Sequence, residues 1–471
     1  MVRTRIAPSP TGEDLHIGNL YTALINWAFA KKNKGKFIVR IEDTDRQRLV
    51  LGAEQQILKT LKDFGLEPDE DPEKGGPFSP YRQSERIEIY QKYAHQLVEK
   101  GFAYYCTCSK ERLEKLRKEQ QEKKQIPRYD GHCRNLNLSR VYLENKKIPY
   151  VVRLKVPKDK KITVYDLIRG EIVFNSNDID DQILLKSDGF PTYHLAVVID
   201  DHLMQISHVI RAEEWLSSTP KHILLYQAFN WPLPVFCHLP ILRNPDRSKL
   251  SKRKNPVWAS WYLKEGFLPQ AVLNYLALMG WSHPKQKEIF DLKEFINVFD
   301  LKDIQVVGPA FDPVKLEWLN GEWIRKTQNS KLKTQIIEYY KKYHNKDLDQ
   351  KFVEKIIPLV KERMKKLSDF WFYCQFFFEE PNVDISLIKN ASYLKDIYQS
   401  LSIIKDWTAQ NIGQSMQELA KKLGIKTGDF FMTLRIAICG KKISPPLNES
   451  MEILGKEKCL ERVKKVITQN V

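Results

Sequence analysis

The chain has 471 residues, and its 76 lysine and arginine residues exceed its 59 aspartate and glutamate residues, giving a formal net charge of +17. This length is too great for one compact core and predicts several domains, for which a hydrophobic fraction of 42% is ample. No apolar run is long enough to cross a bilayer. The positive charge favours a polyanionic partner. The alternative for part of the excess of lysine and arginine is a generally basic proteome.

The first ninety or so residues alternate short apolar strands with helical stretches, which is typical of one half of a doubly wound sheet. An early strand meets Pro and Gly residues, and residues 20–28 then have helical periodicity. His16 and Gly18 therefore fall at a strand-to-helix turn, where free N–H groups and the positive end of the helix dipole attract phosphate. Taken alone, this turn is more typical of an ordinary capped helix start than of a phosphate site. Because it begins so close to Met1, we expect no signal or transit peptide and a cytoplasmic protein.

The segment from about residue 91 to residue 186 interrupts this pattern. It contains a Lys/Glu-rich helical stretch at residues 110–124, strand-like runs at residues 150–156 and 170–174, and the three cysteines Cys106, Cys108 and Cys133. The seven cysteines of the chain are an odd number and argue against a disulfide framework. The three in this segment predict either a metal site or a small packed knuckle of reduced thiols.

Strand-like runs resume at residues 194–200 and 208–211 and are expected to complete the sheet. The ligand crevice of such a sheet lies at the carboxyl ends of its strands, and Arg211 stands at one of these ends. A basic run, Lys-Leu-Ser-Lys-Arg, follows at residues 249–253. Alone it indicates a solvated loop or a nucleic-acid contact. Together with the turn at His16, this run indicates a nucleotide site in which the phosphate chain of ATP is held from two sides. Such a site points to adenylation chemistry.

Beyond the basic run the pattern is mostly helical. Residues 271–279 indicate a buried helix in a linking domain, and from about residue 326 helical periodicity continues almost to the end. One set of apolar residues at helix spacing predicts a helix face buried in the hydrophobic core rather than a binding surface. Its members are Val353, Ile356, Ile357, Val360, Met364 and Leu367.

The two short runs, His-Ile-Gly-Asn at residues 16–19 and the lysine-rich run at residues 249–253, resemble the two signature motifs of class I aminoacyl-tRNA synthetases. More narrowly, the chain resembles bacterial glutamyl-tRNA synthetases over essentially its whole length. The matching segments are residues 3–12, 37–45, 76–77, 81–86, 185–195, 209–215, 266–269, 434–435 and 444–447.

The resemblance implies an α/β fold: a Rossmann-type doubly wound catalytic domain split by a connective insertion, then a stem-contact domain and an all-α anticodon-binding region. The predicted boundaries are 1–90 and 187–246 for the two catalytic halves, 91–186 for the insertion that grips the acceptor end of tRNA, 247–325 for the stem-contact domain, and 326–471 for the anticodon-binding region. The related glutaminyl enzyme uses β-barrels at its anticodon end, so a helical tail favours glutamate.

Glutamate presents an ammonium, a reacting α-carboxylate and a γ-carboxylate that must be recognised. Arg5 and Arg211 suit the γ-carboxylate, because a guanidinium binds a carboxylate in a planar, bidentate manner. The resemblance implies that Glu42 binds the ammonium; the alternative is a surface acid that closes a strand. Ser9 and Tyr193 match positions that contact the amino acid in the family.

For ATP, the resemblance implies contacts from His16, Gly18, Glu214, Lys249 and Lys252, with His16 and Lys252 as the catalytic residues. The alternative for Lys249 is a contact to tRNA or a contribution to solubility alone. Donors and cations aimed at the charge that develops as pyrophosphate departs lower the barrier. Mg²⁺ is expected to accompany the ATP rather than to occupy an all-protein cage. Asn19 stands where the class often has a second histidine, which places more of this stabilisation on the two catalytic residues.

Some glutamyl enzymes carry a structural zinc where this chain has Cys106, Cys108 and Cys133. The family's fourth ligand falls two residues after the third cysteine, and here that position is Asn135, a poor zinc ligand. His132 could replace it only if the turn were rebuilt. The alternative is that the three cysteines stay reduced and pack together without a metal ion.

The resemblance implies an ATP-dependent ligase that converts L-glutamate to glutamyl-adenylate and then charges tRNA(Glu), with tRNA bound before the first step. Charging of tRNA(Gln) is a second candidate activity, and family members are usually monomers. Three rival functions fit less well. A glutamyl-queuosine type enzyme would lack the helical tail, a small nucleotidyltransferase would not need the second ATP run, and a non-catalytic RNA-binding relative would have lost His16 or Lys252.

Overall fold

The structure is a computed structural model that describes residues 1–248, Leu250, 256–388 and 390–469. Two predicted ATP contacts, Lys249 and Lys252, lie outside the described residues. The strands are β1 (Arg3–Ile6), β2 (Lys36–Val39), β3 (Ala103–Cys106), β4 (Val151–Leu154), β5 (Lys161–Asp166), β6 (Gly170–Asn175), β7 (Ile183–Leu185), β8 (His208–Ala212) and β9 (Val235–Leu239).

Helices flank these strands and then account for most of the second half of the chain. The first ten are α1 (Ile17–Lys32), α2 (Ala53–Asp63), α3 (Ile87–Glu99), α4 (Lys110–Glu122), α5 (Arg140–Asn145), α6 (Tyr193–Leu203), α7 (Thr219–Phe229), α8 (Ala259–Lys264), α9 (Pro269–Leu278) and α10 (Leu292–Val298). The later ones are α11 (Pro313–Lys326), α12 (Asn329–His344), α13 (Gln350–Val360), α14 (Asp369–Phe378), α15 (Leu394–Ile403), α16 (Ala409–Lys422), α17 (Thr427–Cys439), α18 (Leu447–Leu454) and α19 (Lys456–Gln469).

The chain divides into two compact units. The first comprises Met1–Trp261 and Leu273–Asp312, and the second comprises Tyr262–Val272 and the residues from Pro313 onward. The five segments expected from the sequence subdivide the chain more finely than these units do, and they stay predictions.

The first unit contains the parallel strands that position the site. β1 pairs with β2 in parallel, and β8 pairs with β9 in parallel. The two pairs meet where Ser207 N donates to the carbonyl oxygen of Arg3 over 3.0 Å. Asn26 on α1 donates through Nδ2 to the carbonyl oxygen of Ile210 in β8 over 3.1 Å, which fixes the helix against the middle of the sheet. The expected doubly wound arrangement is confirmed.

Two further groups of strands extend this unit. β5 and β6 form an antiparallel hairpin, and β5 also pairs in parallel with β9, so the order of that sheet is β6-β5-β9-β8. The strands β3, β4 and β7 form a separate antiparallel sheet. The predicted strand-like runs at residues 150–156 and 170–174 correspond to β4 and β6.

The prediction of a strand at residues 194–200 is wrong, because this segment lies within the helix α6. Seven consecutive residues from Leu195 to Asp201 are buried, so the helix has no exposed polar stripe that would reveal its period. A short, continuously apolar run has the same appearance as a fully buried strand, and only tertiary context separates the two.

The second unit is helical, as the sequence predicted. The stripe of apolar residues on α13 and after it is buried, including Ile356 and Met364 at 0% exposure, and forms core. Amphipathic helices bury one face in this way because the apolar area removed from water supplies the stabilisation that isolated helices lack. Within the described part of the chain, no helix combines the length and the apolar character that crossing a membrane requires.

Candidate active site

The first half of the candidate site is built on the start of α1. His16 caps this helix, because its Nδ1 accepts a hydrogen bond from the backbone N–H of Gly18 over 3.0 Å. A neutral ring that accepts at Nδ1 carries its proton on Nε2, so the histidine presents a donor on its other side. The turn is held by an antiparallel bridge to Trp258, in which Ile17 N donates to Val257 O over 2.7 Å.

A cavity of about 230 Å³ opens beside this turn. It is lined by His16, Gly18, Asn19, Tyr21, Thr22, Ala212, Glu214, Pro240, Ile241, Leu242 and Leu250. A methyl group at Gly18 would lie 3.2 Å from Nδ1 of His16, so the capping ring would have to move by a few tenths of an ångström to admit a side chain there. Three predicted ATP contacts, His16, Gly18 and Glu214, thus line one cavity.

A second, smaller cavity of about 100 Å³ adjoins the first, since Asn19, Thr22, Ala212 and Glu214 line both. Its other lining residues include four of the predicted glutamate contacts, Arg5, Glu42, Tyr193 and Arg211. These residues come from β1, from the segment after β2, from the start of α6 and from the end of β8. Strand ends of the parallel sheet therefore converge on one small polar space, as expected for this fold.

A third and larger cavity, of about 790 Å³, shares Glu42, Tyr193 and Glu214 with the second. Ser9 lines only this larger space and is exposed. The remaining lining is mixed in charge, with Arg46, Arg48 and Lys186 facing acids such as Asp45 and Asp188.

Arg5 is held by a buried acid on α6. Its Nε and Nη2 lie 3.0 Å and 3.1 Å from the two carboxylate oxygens of Asp201, and both side chains are about 4% exposed. Arg40, which is fully buried, donates to the same carboxylate over 2.8 Å. Burial raises the pKa of Asp201, but the Arg5 and Arg40 guanidiniums outweigh it and hold that pKa below its ordinary value.

Glu42 lies at the edge of this charged group. Its carboxylate accepts from Nη2 of Arg40 over 3.3 Å. Burial raises the pKa of Glu42 to about 7, and the nearby Arg40 and Arg5 oppose the shift without cancelling it. When a cationic ligand binds, a carboxylate that is desolvated and only partly paired gains more favourable interaction energy than a surface carboxylate would.

The comparisons with known proteins agree with this geometry. The family model described as tRNA synthetases class I (E and Q), catalytic domain, matches residues 1–318, and the model described as anticodon binding domain matches residues 331–467. A glutamate–tRNA ligase of Dehalococcoides mccartyi is 44% identical over 481 residues, covering 99% of this chain and 98% of the relative. The chain belongs to the glutamate–tRNA ligase family.

Other relatives agree with this assignment. A glutamate–tRNA ligase of Marinomonas sp. is 45% identical over 466 residues, covering 97% of this chain and 93% of the relative. The crystal structure of a glutamate tRNA ligase from Elizabethkingia meningosepticum, in complex with its amino acid, aligns with a TM-score of 0.88 at 37% identity and covers 99% of both chains. The expected family and fold class are therefore confirmed.

The structure adds residues to the glutamate–tRNA ligase site that the sequence analysis did not single out. Arg40 and Asp201 organise Arg5 and Glu42, and His222 and His238 contact Arg211. One sequence signal for Asp201 existed: two consecutive acids interrupt an otherwise apolar run. The histidines gave no signal, because isolated histidines near apolar residues are most often satisfied core residues.

The three predicted metal ligands also come together. Their sulfur atoms all lie within 4.8 Å of one another, and Sγ of Cys108 is 3.5 Å from Sγ of Cys133. The phenol oxygen of Tyr129 lies 3.4 Å from Sγ of Cys106 and 3.4 Å from Sγ of Cys108. Three thiols and one oxygen match the donor number and softness of a closed zinc site, so the residues fit that metal. Tyr129, which the sequence analysis missed, places its phenol oxygen beside the thiols, where it also accepts from the backbone N–H of Cys133 over 2.9 Å.

Proposed function

We propose that this chain couples L-glutamate to the terminal adenosine of tRNA(Glu) at the expense of ATP. The observation that carries the proposal is the junction of the first two cavities. The capped turn at His16 lines one, the cluster of Arg5, Glu42 and Arg211 lines the other, and Glu214 lines both. The two reactants of adenylation would thus bind side by side.

In the first step an oxygen of the α-carboxylate attacks the α-phosphorus of ATP, and the bond to the leaving pyrophosphate breaks. His16 donates from Nε2 to a phosphate oxygen, and its capping hydrogen bond fixes the ring for this task. Mg²⁺ would accompany the ATP phosphates and would supply neutralisation of part of their charge. Lys249 and Lys252 are proposed to contact the phosphates on the strength of their motif.

Glu42 would bind the ammonium of glutamate, while Arg5 and Arg211 would receive the γ-carboxylate. A single charge-assisted hydrogen bond of this kind contributes about 1.5–3 kcal/mol. Glutamine would leave the guanidinium charge poorly matched, so the pocket selects glutamate without an editing step. Ser9 and Tyr193 complete the proposed contacts to the amino acid.

In the second step the terminal hydroxyl of tRNA attacks the glutamyl carbonyl carbon, and AMP leaves. No protein nucleophile is needed, because the substrate hydroxyl does the attacking and the enzyme supplies position and charge. The net charge of +17 favours tRNA binding. We further propose the five-part domain division given above, a monomeric state and the helical tail as the anticodon-binding region.

Zinc is proposed as a structural metal held by Cys106, Cys108, Cys133 and Tyr129. It would join the end of β3 to the segment at residues 129–133 and take no part in the transfer reaction. A closed site of this kind stabilises a small domain by cross-linking it.

Glutamate-dependent exchange of pyrophosphate into ATP, measured with and without tRNA, tests the proposed activity. We expect exchange that requires glutamate and rises steeply when tRNA(Glu) is added. The absence of exchange under both conditions would reject the enzymatic function. Charging assays with purified tRNA(Glu) and tRNA(Gln) decide whether the second acceptor is used, and light scattering decides the oligomeric state.

A further inference from the structure

The hydrogen-bond partners that the structure gives Arg211 are neutral groups. Its Nε donates to Nε2 of His238 over 3.1 Å, and its Nη1 donates to the hydroxyl of Tyr193 over 3.0 Å and lies 3.3 Å from Nδ1 of His222. Its Nη2 donates to the hydroxyl of Thr219 over 2.9 Å and to the carbonyl oxygen of Trp215 over 3.3 Å. The partners among the described residues therefore orient the guanidinium without supplying a negative charge.

Arg5 differs from Arg211 because its hydrogen-bond partner is a carboxylate. Arg5 faces both oxygens of the Asp201 carboxylate, so much of its charge is compensated within the protein. Arg211 is equally buried, at 5% exposure, yet it has hydroxyls, imidazoles and a carbonyl in place of a carboxylate. A buried cation that lacks an anionic partner is costly, and this cost is relieved when an anionic ligand binds.

His238 is itself held by a carboxylate on its far side. Its Nδ1 lies 2.6 Å from Oδ2 of Asp166, at the end of β5. Since a carboxylate only accepts and a guanidinium only donates, the ring must carry its proton on Nδ1 and leave Nε2 as an acceptor for Arg211. Burial lowers the pKa of His238 to about 4, although Asp166 opposes this shift, and the neutral form is therefore the stable one.

His222 completes the neutral surroundings. Its Nε2 lies 3.1 Å from Nδ1 of His194, so the two rings share one hydrogen bond. Burial and the charge of Arg211 hold the pKa of His222 well below its ordinary value. Two imidazoles that remain uncharged beside a guanidinium add orientation without adding to the positive charge.

We propose that Asp166 and His238 are positioning residues that hold Arg211 for the side-chain carboxylate of the amino-acid substrate, and that this pair sets the preference for a carboxylate over a carboxamide. The inference rests on the function proposed above, because it concerns the same amino-acid cavity. Asp166 fixes the tautomer of His238, His238 fixes the guanidinium plane, and the neutral shell leaves the charge of Arg211 for the ligand to neutralise.

Two substitutions at one position separate positioning from mere packing. His238→Gln can place an acceptor where Nε2 stands, whereas His238→Asn can reach Asp166 but leaves Nε of Arg211 without an acceptor. We expect His238→Asn to raise KM for glutamate about tenfold, the loss of roughly one buried hydrogen bond, with KM for ATP unchanged. His238→Gln should restore most of the wild-type KM, and the selectivity for glutamate over glutamine should fall in the asparagine variant alone.

Asp166→Asn tests whether the ring proton of His238 must lie on Nδ1. An amide that donates to Nδ1 would move the ring proton to Nε2, where it opposes the N–H of Arg211, so this variant should resemble His238→Asn. Asp166 also accepts from the backbone N–H groups of Ile168, Arg169 and His238, and melting temperature must therefore be measured for every variant. His95→Gln is the matched control, because His95 is a buried histidine that bonds to Tyr105.

The assays are tRNA-stimulated pyrophosphate exchange, with glutamate and ATP varied separately, and the shift in melting temperature caused by L-glutamate or L-glutamine alone. Equal KM values for glutamate in the two His238 variants, or a parallel rise in KM for ATP, would overturn the positioning role. Wild-type protein that shows no exchange would instead reject the proposed function, and a glutamate-dependent thermal shift that His238→Asn weakens would then still support the binding role.

Discussion

Arg5 and Asp201 form a two-point ion pair, with Nε to Oδ1 at 3.0 Å and Nη2 to Oδ2 at 3.1 Å. One residue lies on the first strand and the other near the end of α6, 196 positions later. The pair joins β1 to α6 beside the second cavity, which Arg5 lines. It therefore couples the stability of the fold to the shape of the site.

Asp201→Asn should lower the free energy of unfolding by about 3–5 kcal/mol, because it leaves two buried guanidiniums without their shared carboxylate. The pKa of Asp201 is lowered in the folded state, so its stabilisation is present above the ordinary aspartate pKa and is lost as the pH falls through the folded value. Urea unfolding of wild type and variant at several pH values from neutral to acidic measures this. A stability difference that did not shrink in acid would contradict it.

Glu42 should give glutamate binding a pH dependence near neutrality. Its pKa of about 7 in the free protein means that the carboxylate gains charge as the pH rises from 6 to 8, and the ammonium of the ligand binds only the charged form. We expect KM for glutamate to fall over this range while KM for ATP does not follow. The same raised pKa favours the folded state at low pH, and that contribution is lost as the pH rises through about 7.

Glu42→Gln tests whether Glu42 causes the expected pH dependence of glutamate binding. It keeps the size of the side chain and removes its charge, so KM for glutamate should be high at every pH and its pH dependence should disappear. Exchange assays at fixed ionic strength provide the measurement. A variant that kept the wild-type pH profile would assign the titration to another group.

His16→Asn should separate helix capping from catalysis. Asparagine can accept from the Gly18 N–H as His16 does, so melting temperature should stay close to that of wild type. The donor at Nε2 is lost, and kcat for exchange should fall about 10²–10³-fold. His16→Ala removes both functions and should in addition cost about 1 kcal/mol of stability. Full exchange activity in His16→Asn would show that the ring donates nothing to the reaction.

Purified protein should contain about one zinc per chain, measured by plasma mass spectrometry after preparation without chelators. Cys133→Ser should abolish retention of the metal. Tyr129→Phe keeps the three thiols and should weaken retention against a chelator, which would identify the phenol as a ligand. Cys439→Ser, at a buried cysteine outside the cluster, is the control. Equal chelator resistance in wild type and Tyr129→Phe would remove the phenol from the ligand set.

Some parts of the fold and site could be predicted from local pattern. The capped turn at His16, the helical tail and the buried stripe on α13 all follow from periodicity and turn chemistry, which act over a few residues. The helix α6 could not be predicted, because burial on all sides hides its period. Tyr129 could not be predicted either, since a tyrosine becomes a candidate ligand only when folding carries its phenol oxygen to the sulfur atoms.

The sequence by itself determined which residues are available to the candidate site: two arginines that we propose for a carboxylate, one glutamate proposed for an ammonium, and a histidine and a glycine proposed for phosphate. Only the tertiary structure decided how those charges are balanced. Asp201 lies far from Arg5 in sequence, compensates its charge and is shared with Arg40, while the hydrogen-bond partners of Arg211 are neutral. The reason is physical: a side chain's charge is local chemistry, but its solvation and its partners depend on which distant segments folding brings within hydrogen-bonding distance.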